Sequence, residues 1–162
     1  MVREISAGGV VVRRTAKGWM MAVIEPRREA SSSRGSRKKK TPSALLALPK
    51  GLVDAGEQPQ QTAIREVLEE TGLIVSLITK LADIKYVYVR SWGDQERVFK
   101  IVTFYFLRYE SGHIGDISPE MRIEVERAIW IPLEEAEEKL TYRGEKDVVR
   151  LAREYLKSHP EA

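Results

Sequence analysis

Glu66, Glu69 and Glu70 place three carboxylates within five residues, with one arginine, Arg65, beside them. Glu66 and Glu70 are one helical turn apart, and like charges at that spacing destabilise an isolated helix by roughly 0.2–0.5 kcal/mol per pair. One guanidinium cannot neutralise three acids. Two readings account for the cluster. It is a solvated acidic face on a surface helix, or it is a site for a hard divalent cation. Such a cation takes carboxylate oxygens, keeps several waters and is shared with substrate phosphates. The glycines favour the second reading. Gly51 opens a loop that ends at Gly56-Glu57, directly before the helix. A loop folded back over a helix N-terminus brings backbone groups close to a cation and to phosphates. The chain has no cysteine and only two histidines, His113 and His159. That excludes disulfides, thiolate nucleophiles and thiolate metal sites, and makes carboxylates the expected metal donors.

Positioning those carboxylates requires a helix docked on a sheet. Pro59 to Thr71 is the clearest helix: Ala63, Ile64, Val67 and Leu68 recur at helical spacing, on an arc of roughly 140°, and are expected to face the sheet. Pro59 suits the first turn and Gly72 the C-terminal stop, whereas Gln58 is a poor N-cap. Ile5–Val12 and Trp19–Ile24 read as strands joined by a turn at Thr15-Ala16-Lys17-Gly18. Leu45–Leu48, Ile74–Ile78, Ile84–Val89, Val98–Arg108 and Ile129–Ile131 read as further strands. Leu133–Leu140 and Lys146–Lys157 read as closing helices. Strands and helices mix without regular alternation, so an α+β fold or a layered α/β/α sandwich is expected rather than a doubly wound parallel sheet.

The 162 residues suit one domain, 1–162. Residues 26–43 hold seven basic side chains against one acid, a local net of +6 in a chain of net +3, so a mildly acidic domain carries one basic segment. Its Ser, Gly, Lys and Arg show no period, and a flexible loop is expected at about 29–43. No apolar run approaches the ~18 residues of a membrane span, and the first residues lack the pattern of a secretory signal. A cytoplasmic protein without membrane contact is expected.

The segment Gly51–Leu73, GLVDAGEQPQQTAIREVLEETGL, resembles the signature of the Nudix hydrolase family, G-x5-E-x7-R-E-U-x-E-E-x-G-U, with U a bulky apolar residue. The match is complete at Gly51, Glu57, Arg65, Glu66, Val67, Glu69, Glu70, Gly72 and Leu73. The resemblance implies an α/β/α sandwich with a mixed sheet, in which this box forms a loop–helix–loop. It implies that Glu66, Glu69 and Glu70, with the backbone carbonyl of Lys50, bind Mg²⁺ or Mn²⁺. Glu69 would orient or deprotonate the attacking water, Arg65 would hold the glutamates by a salt bridge, and Glu57 would brace the loop or reach the metal through water. Family members often add a carboxylate six residues before a tryptophan. Here Trp130 follows Glu120, Glu124 and Glu126, and Glu124 has the matching spacing. Its alternative is a solvent-facing acid.

The reaction implied is cleavage of a phosphoanhydride bond in a nucleoside-diphosphate-linked substrate. Leu48-Pro49-Lys50-Gly51 is similar to the box entrance of the dinucleoside polyphosphate and diphosphoinositol polyphosphate branches. Leu140-Thr141-Tyr142 with the helix after it looks like the closing segment of diadenosine tetraphosphate hydrolases. A dinucleoside polyphosphate such as diadenosine tetraphosphate is therefore the expected substrate. Lys50 would bind its phosphates, or is a solvated lysine at a strand end. Tyr142 would stack on a base, or caps the core with its hydroxyl wet. Tyr86 and Tyr88 fall on one strand face, which lines the substrate cleft or, as the favoured reading, is a packed sheet surface. The basic segment steers a polyanion, binds RNA phosphates, or serves solubility alone, so nucleic acid stays a lesser candidate partner. Competing activities are a diphosphoinositol polyphosphate or RNA 5′-end pyrophosphohydrolase and, from another class, a non-catalytic nucleotide-binding domain. A monomer or homodimer is expected.

Overall fold

In a computed structural model that describes residues 2–27, 45–90 and 95–162, six strands form one mixed sheet between two helical layers. The strands are β1 (Val2–Thr15), β2 (Gly18–Pro26), β3 (Lys50–Leu52), β4 (Ile74–Val89), β5 (Arg97–Ser111) and β6 (Val125–Pro132). Their order is β4-β5-β1-β2-β6, with β3 added on β1, and only β1 and β5 run parallel. The helices are α1 (Pro59–Thr71), a short α2 (Ala136–Lys139) and α3 (Arg143–Ser158). No helix among the described residues is long and apolar enough to cross a membrane.

β1 shows why the sequence builds two layers. Val10, Val11 and Val12 are all buried, so alternation sends side chains into a core on each face. Val10 and Val12 pack with Val148, Val149 and Ala152 of α3, while Ala7 and Val11 pack with Ala63 and Val67 of α1. Phe104 and Phe106 against Tyr105 and Leu107 repeat that division on β5.

The structure corrects several expected elements. Ile74–Ile78 and Ile84–Val89 are one strand, β4, whose register against β5 shifts between Leu77 and Thr79 and between Lys80 and Ala82; those irregularities break the alternation that a sequence reading follows. Leu45–Leu48 makes only an isolated bridge, Ala47 to Ile24, and the strand proper begins at Lys50. Leu133–Leu140 is a 3-10 turn followed by one turn of helix. Gln58 stands at the N-cap with no side-chain cap bond, as expected of a poor N-cap, and the Gln61 side chain closes the turn instead by accepting the Gln58 N–H at 2.8 Å. The basic segment expected at 29–43 lies outside the described residues.

α1 also turns differently from its apolar pattern. Leu68 is 45% exposed, whereas Glu66 and Glu70 are 4% and 5% exposed beside Ala63 and Val67. The helix buries two acids because β3, which it packs against, presents a glycine. A Cβ on Gly51 would stand 2.1 Å from the Glu66 carboxyl carbon, so only a residue without a side chain lets that carboxylate lie against the strand. The helix stops at Gly72, whose φ of 86° suits glycine and whose N–H returns to the Leu68 carbonyl.

Candidate active site

One edge of α1 is held by Arg65. Its Nε donates to Glu57 Oε2 at 2.7 Å and its Nη2 to Glu57 Oε1 at 3.0 Å, a bidentate pair. Nη1 donates to Glu66 Oε2 at 2.9 Å and to Glu69 Oε1 at 3.2 Å, and Nη2 also reaches the Leu52 carbonyl at 3.1 Å. Glu57 accepts two further bonds, from the Asp54 N–H at 3.0 Å and the Thr62 hydroxyl at 2.7 Å. Arg65 first, and then these donors, lower its carboxyl to about 2. Arg65 and Glu57 thus tie the loop 51–57 to the helix, the bracing arrangement expected of them.

The other edge of α1 faces a cleft of about 850 Å³ lined by Glu66, Glu70 and Glu124, by Lys50 and Lys100, and by Tyr86 and Tyr142. Glu66 Oε2 has Arg65, but Glu66 Oε1 is buried with no hydrogen-bond partner. Burial raises the Glu66 carboxyl, against the pull of Arg65. Glu70 Oε1 accepts the Lys50 backbone N–H at 3.1 Å. Burial, then the charge of Glu66, with Glu124 adding to both, push the Glu70 carboxyl up to about 8. Glu124 follows the 3-10 turn Pro119–Ile123, and its carbonyl accepts the Arg27 N–H at 2.8 Å. Of the three acids before Trp130 it is the one that lines the cleft; Glu120 is exposed, and Glu126 pairs with Arg27 at 2.7 Å on the surface. Glu69 does not line the cleft. Its side chain stays on Arg65, and its carbonyl accepts the Ser118 N–H.

Among the described residues no three acids or histidines are already gathered closely enough to hold an ion, as mutual repulsion among carboxylates sharing no cation requires. The donor set nonetheless suits a hard divalent cation. It offers a buried, unpartnered carboxylate oxygen on Glu66, a second buried carboxylate on Glu70 and a third on Glu124, all oxygen donors.

The rest of the cleft is cationic and aromatic. Lys50 Nζ lies 3.3 Å from Glu145 Oε2, and this partner, against the effect of burial, keeps the amine above its ordinary range. Lys100 sits opposite Glu4 on β1 and opposite Tyr86 on β4, on the same sheet face. Tyr142 precedes α3 and is half-exposed. The sequence reading placed Lys50 and Tyr142 here, left Tyr86 between the cleft and a packed sheet surface, and missed Lys100 and Glu145. Lys100 meets Tyr86 only through strand pairing, and nothing local marks it. Glu145 is an acid in the first turn of a helix, a position acids commonly occupy for the helix dipole, so its burial gave no sequence signal.

Comparison with known proteins agrees with this architecture. A model of the NUDIX domain matches residues 6–152. A MutT4 protein of Mycobacterium tuberculosis (strain CDC 1551 / Oshkosh) is 34% identical over 155 residues, covering 96% of this chain; the chain spans 56% of that relative's length. The asymmetrical bis(5′-nucleosyl)-tetraphosphatase of Mus musculus is 30% identical over 114 residues, covering 69% of this chain and 72% of the mouse protein. Among solved structures, the binary complex of a C. elegans Ap4A hydrolase superimposes with a TM-score of 0.68 at 20% identity, covering 96% of this chain and 98% of that one.

Proposed function

The chain belongs to the NUDIX family, and from that premise we propose that it is a metal-dependent hydrolase of a phosphoanhydride bond in a nucleoside-diphosphate-linked substrate. The observation that carries the reading is the pairing of Glu66 and Glu70 under Gly51, two buried carboxylates of which one oxygen has no partner. Glu66, Glu70 and Glu124, with the Lys50 carbonyl, would hold Mg²⁺ or Mn²⁺. Glu69 would join them only by leaving Arg65. When bound, such a cation polarises a phosphoryl oxygen and lowers the pKa of a bound water.

The chain's own residues supply the remainder. Lys50 and Lys100 place two ammonium groups in the cleft that oppose the charge of a polyphosphate. Arg65 and Glu57 fix the loop that carries Gly51. The attacking water needs a carboxylate to orient it and take its proton. Glu69 is the residue that the family signature assigns to this task, and Glu124 is the acid that already faces the cleft. Every glutamate of the box, Glu57, Glu66, Glu69 and Glu70, is present in this chain, which disfavours the non-catalytic reading.

Within this class we infer a dinucleoside polyphosphate, of which diadenosine tetraphosphate is the simplest test. Two tyrosines, Tyr86 and Tyr142, line the cleft together with Lys50 and Lys100, and stacking on a base contributes about 1–3 kcal/mol. The mouse relative is named for that activity. A second reading, a nucleoside triphosphate, is supported by a relative from Mycolicibacterium smegmatis (strain ATCC 700084 / mc(2)155) named 8-oxo-(d)GTP phosphatase, 33% identical over 104 residues, which cover 64% of this chain and 29% of that relative.

A cleavage panel with the products separated by chromatography decides between them. It would compare diadenosine tetraphosphate, nucleoside triphosphates, ADP-ribose, a diphosphoinositol phosphate and triphosphorylated RNA, each with Mg²⁺ and Mn²⁺, with Glu69→Gln and Glu124→Gln alongside. Metal-dependent cleavage fastest on diadenosine tetraphosphate supports the leading reading. Fastest cleavage of a triphosphate replaces it with the second, and no cleavage of any substrate refutes the hydrolase assignment. The acid whose loss lowers kcat more is the one that handles the water's proton.

A further inference from the structure

Glu145 is the one strongly buried acid in the cleft that does not belong to the carboxylate group on α1 and the loop before β6. It is 4% exposed, lines the cleft, and sits in the first turn of α3, three residues after Tyr142. One of its oxygens accepts the Leu48 N–H at 2.9 Å, and the other lies 3.3 Å from Lys50 Nζ. Leu48 and Lys50 flank Pro49, so a single carboxylate grips both sides of the turn that leads into β3. Lys50 is held a second time, since its backbone N–H donates to Glu70. Lys50 therefore links an acid on α1 to an acid on α3.

This arrangement is costly in two respects. Withdrawing a carboxylate from water costs several kcal/mol unless geometry recovers it. A negative charge in a cleft that takes a polyanion also repels the ligand, and it partly cancels the ammonium meant to attract it. A solvated Lys50 would avoid both costs, but its long side chain would then sample many rotamers. Fixing the amine in advance removes that loss at binding.

We propose that Glu145 is a positioning residue: it fixes the Lys50 amine and the Leu48–Lys50 turn in the orientation that receives a substrate phosphate, and it ties that orientation to the α3 start that carries Tyr142. The inference rests on the polyphosphate reading of the cleft. It predicts that Glu145 strengthens the binding of an anion although it is itself an anion, and that it does so only through Lys50.

The test is a double-mutant cycle on the full chain, with Glu145→Gln, Lys50→Ala and the double variant. The probe is a nucleoside triphosphate with methylene bridges in place of both the α,β and the β,γ oxygens, bound in the presence of Mg²⁺ and followed by calorimetry. Melting temperature is recorded for every variant. Glutamine keeps an oxygen for the Leu48 N–H and removes the charge on Lys50. Glu145→Gln should weaken binding about tenfold, the scale of one charge-assisted hydrogen bond. In the Lys50→Ala background the same change should have no further effect, because the partner through which it acts is gone. Steady-state kinetics should show the loss chiefly in KM. Glu145→Asp, which keeps the charge but withdraws it by one methylene, must also weaken binding if Glu145→Gln does not fold. Unchanged or tighter binding by Glu145→Gln overturns the proposal, as do losses that multiply in the double variant or a lowered melting temperature with binding intact. A wild-type chain that binds no triphosphate analogue overturns the polyphosphate reading itself and this inference with it.

Discussion

On one edge of α1, Glu57 and Glu69 share Arg65 with Asp54, and Glu57 accepts bonds from four donor groups. On the other edge, Glu66 Oε1 has no partner, and Glu70 has one backbone N–H with a like charge beside it. Both edges are built from glutamates of the same thirteen-residue helix or the loop before it. The partnered edge is a brace, with its charges settled within the chain. The cleft edge keeps charge that the chain leaves unsettled, which is the condition for binding something from outside. Acid count alone therefore does not mark a metal site; the missing counter-charge does.

That contrast breaks most visibly through Glu70. Glu70→Gln should lower kcat by about 10³-fold or more, since the cation's charge stabilisation is worth several kcal/mol. The same change should leave the melting temperature of the metal-free chain unchanged or raised, because it neutralises a buried carboxylate that lacks a cation. A large loss of stability instead would mean that Glu70 belongs to the brace.

The brace should show the reverse pattern. Arg65→Ala leaves Glu57, Glu66 and Glu69 without their shared cation. With Arg65 about a quarter exposed, and allowing for solvent screening, urea unfolding should show a loss of about 2 kcal/mol. Activity should fall by roughly 10–100-fold, as for groups that orient metal ligands. A loss of activity as deep as that of Glu70→Gln would dissolve the distinction between the two edges.

Acid titration sharpens the contrast further. The Glu57 carboxyl is lowered in the folded chain, from 4.5 to about 2. The folded state therefore releases this proton more readily than the unfolded state. The stabilisation is complete above about pH 4.5 and is lost as pH falls towards about 2. The stability difference between wild type and Glu57→Gln should accordingly shrink across that window in urea melts. A difference that stays constant with pH would show that the Arg65 contact is not the source. The smallest effect is expected at Asp54, whose side chain is 69% exposed. Asp54→Asn should change stability by no more than ~0.5 kcal/mol by the same assay.

Much of the site was legible because its residues are close in sequence. Glu57, Arg65, Glu66 and Glu70 lie within one loop and one helix, where the family signature already names them. Glu124 was legible only by its distance from Trp130, and the structure brings it to the cleft. Glu69 shows the limit of such reading: one position from Glu70, it points to the opposite edge of the helix. The apolar pattern of α1 misled for a related reason. It counted Leu68 as buried and the acids as exposed, because it could not register that Gly51 on another element leaves room for Glu66. Lys100, Tyr86 and Glu145 come from three different elements, and only strand register and helix docking join them to Lys50. In the fold, the two buried layers were visible in β1 and β5, where consecutive apolar residues demand a core on each face. The irregular β4 was not, because its register shifts erase the two-residue period.

The most direct test of this account is Mn²⁺ binding measured by electron paramagnetic resonance on the nucleotide-free chain, with Glu66→Gln, Glu70→Gln and the surface substitution Asp147→Asn in parallel. The account predicts saturable Mn²⁺ binding by wild type and by Asp147→Asn, strongly weakened by either cleft substitution, with all four proteins folded. Equal Mn²⁺ affinity in wild type, Glu66→Gln and Glu70→Gln would contradict it, because the unsettled charge of the cleft edge would then not be what holds the cation.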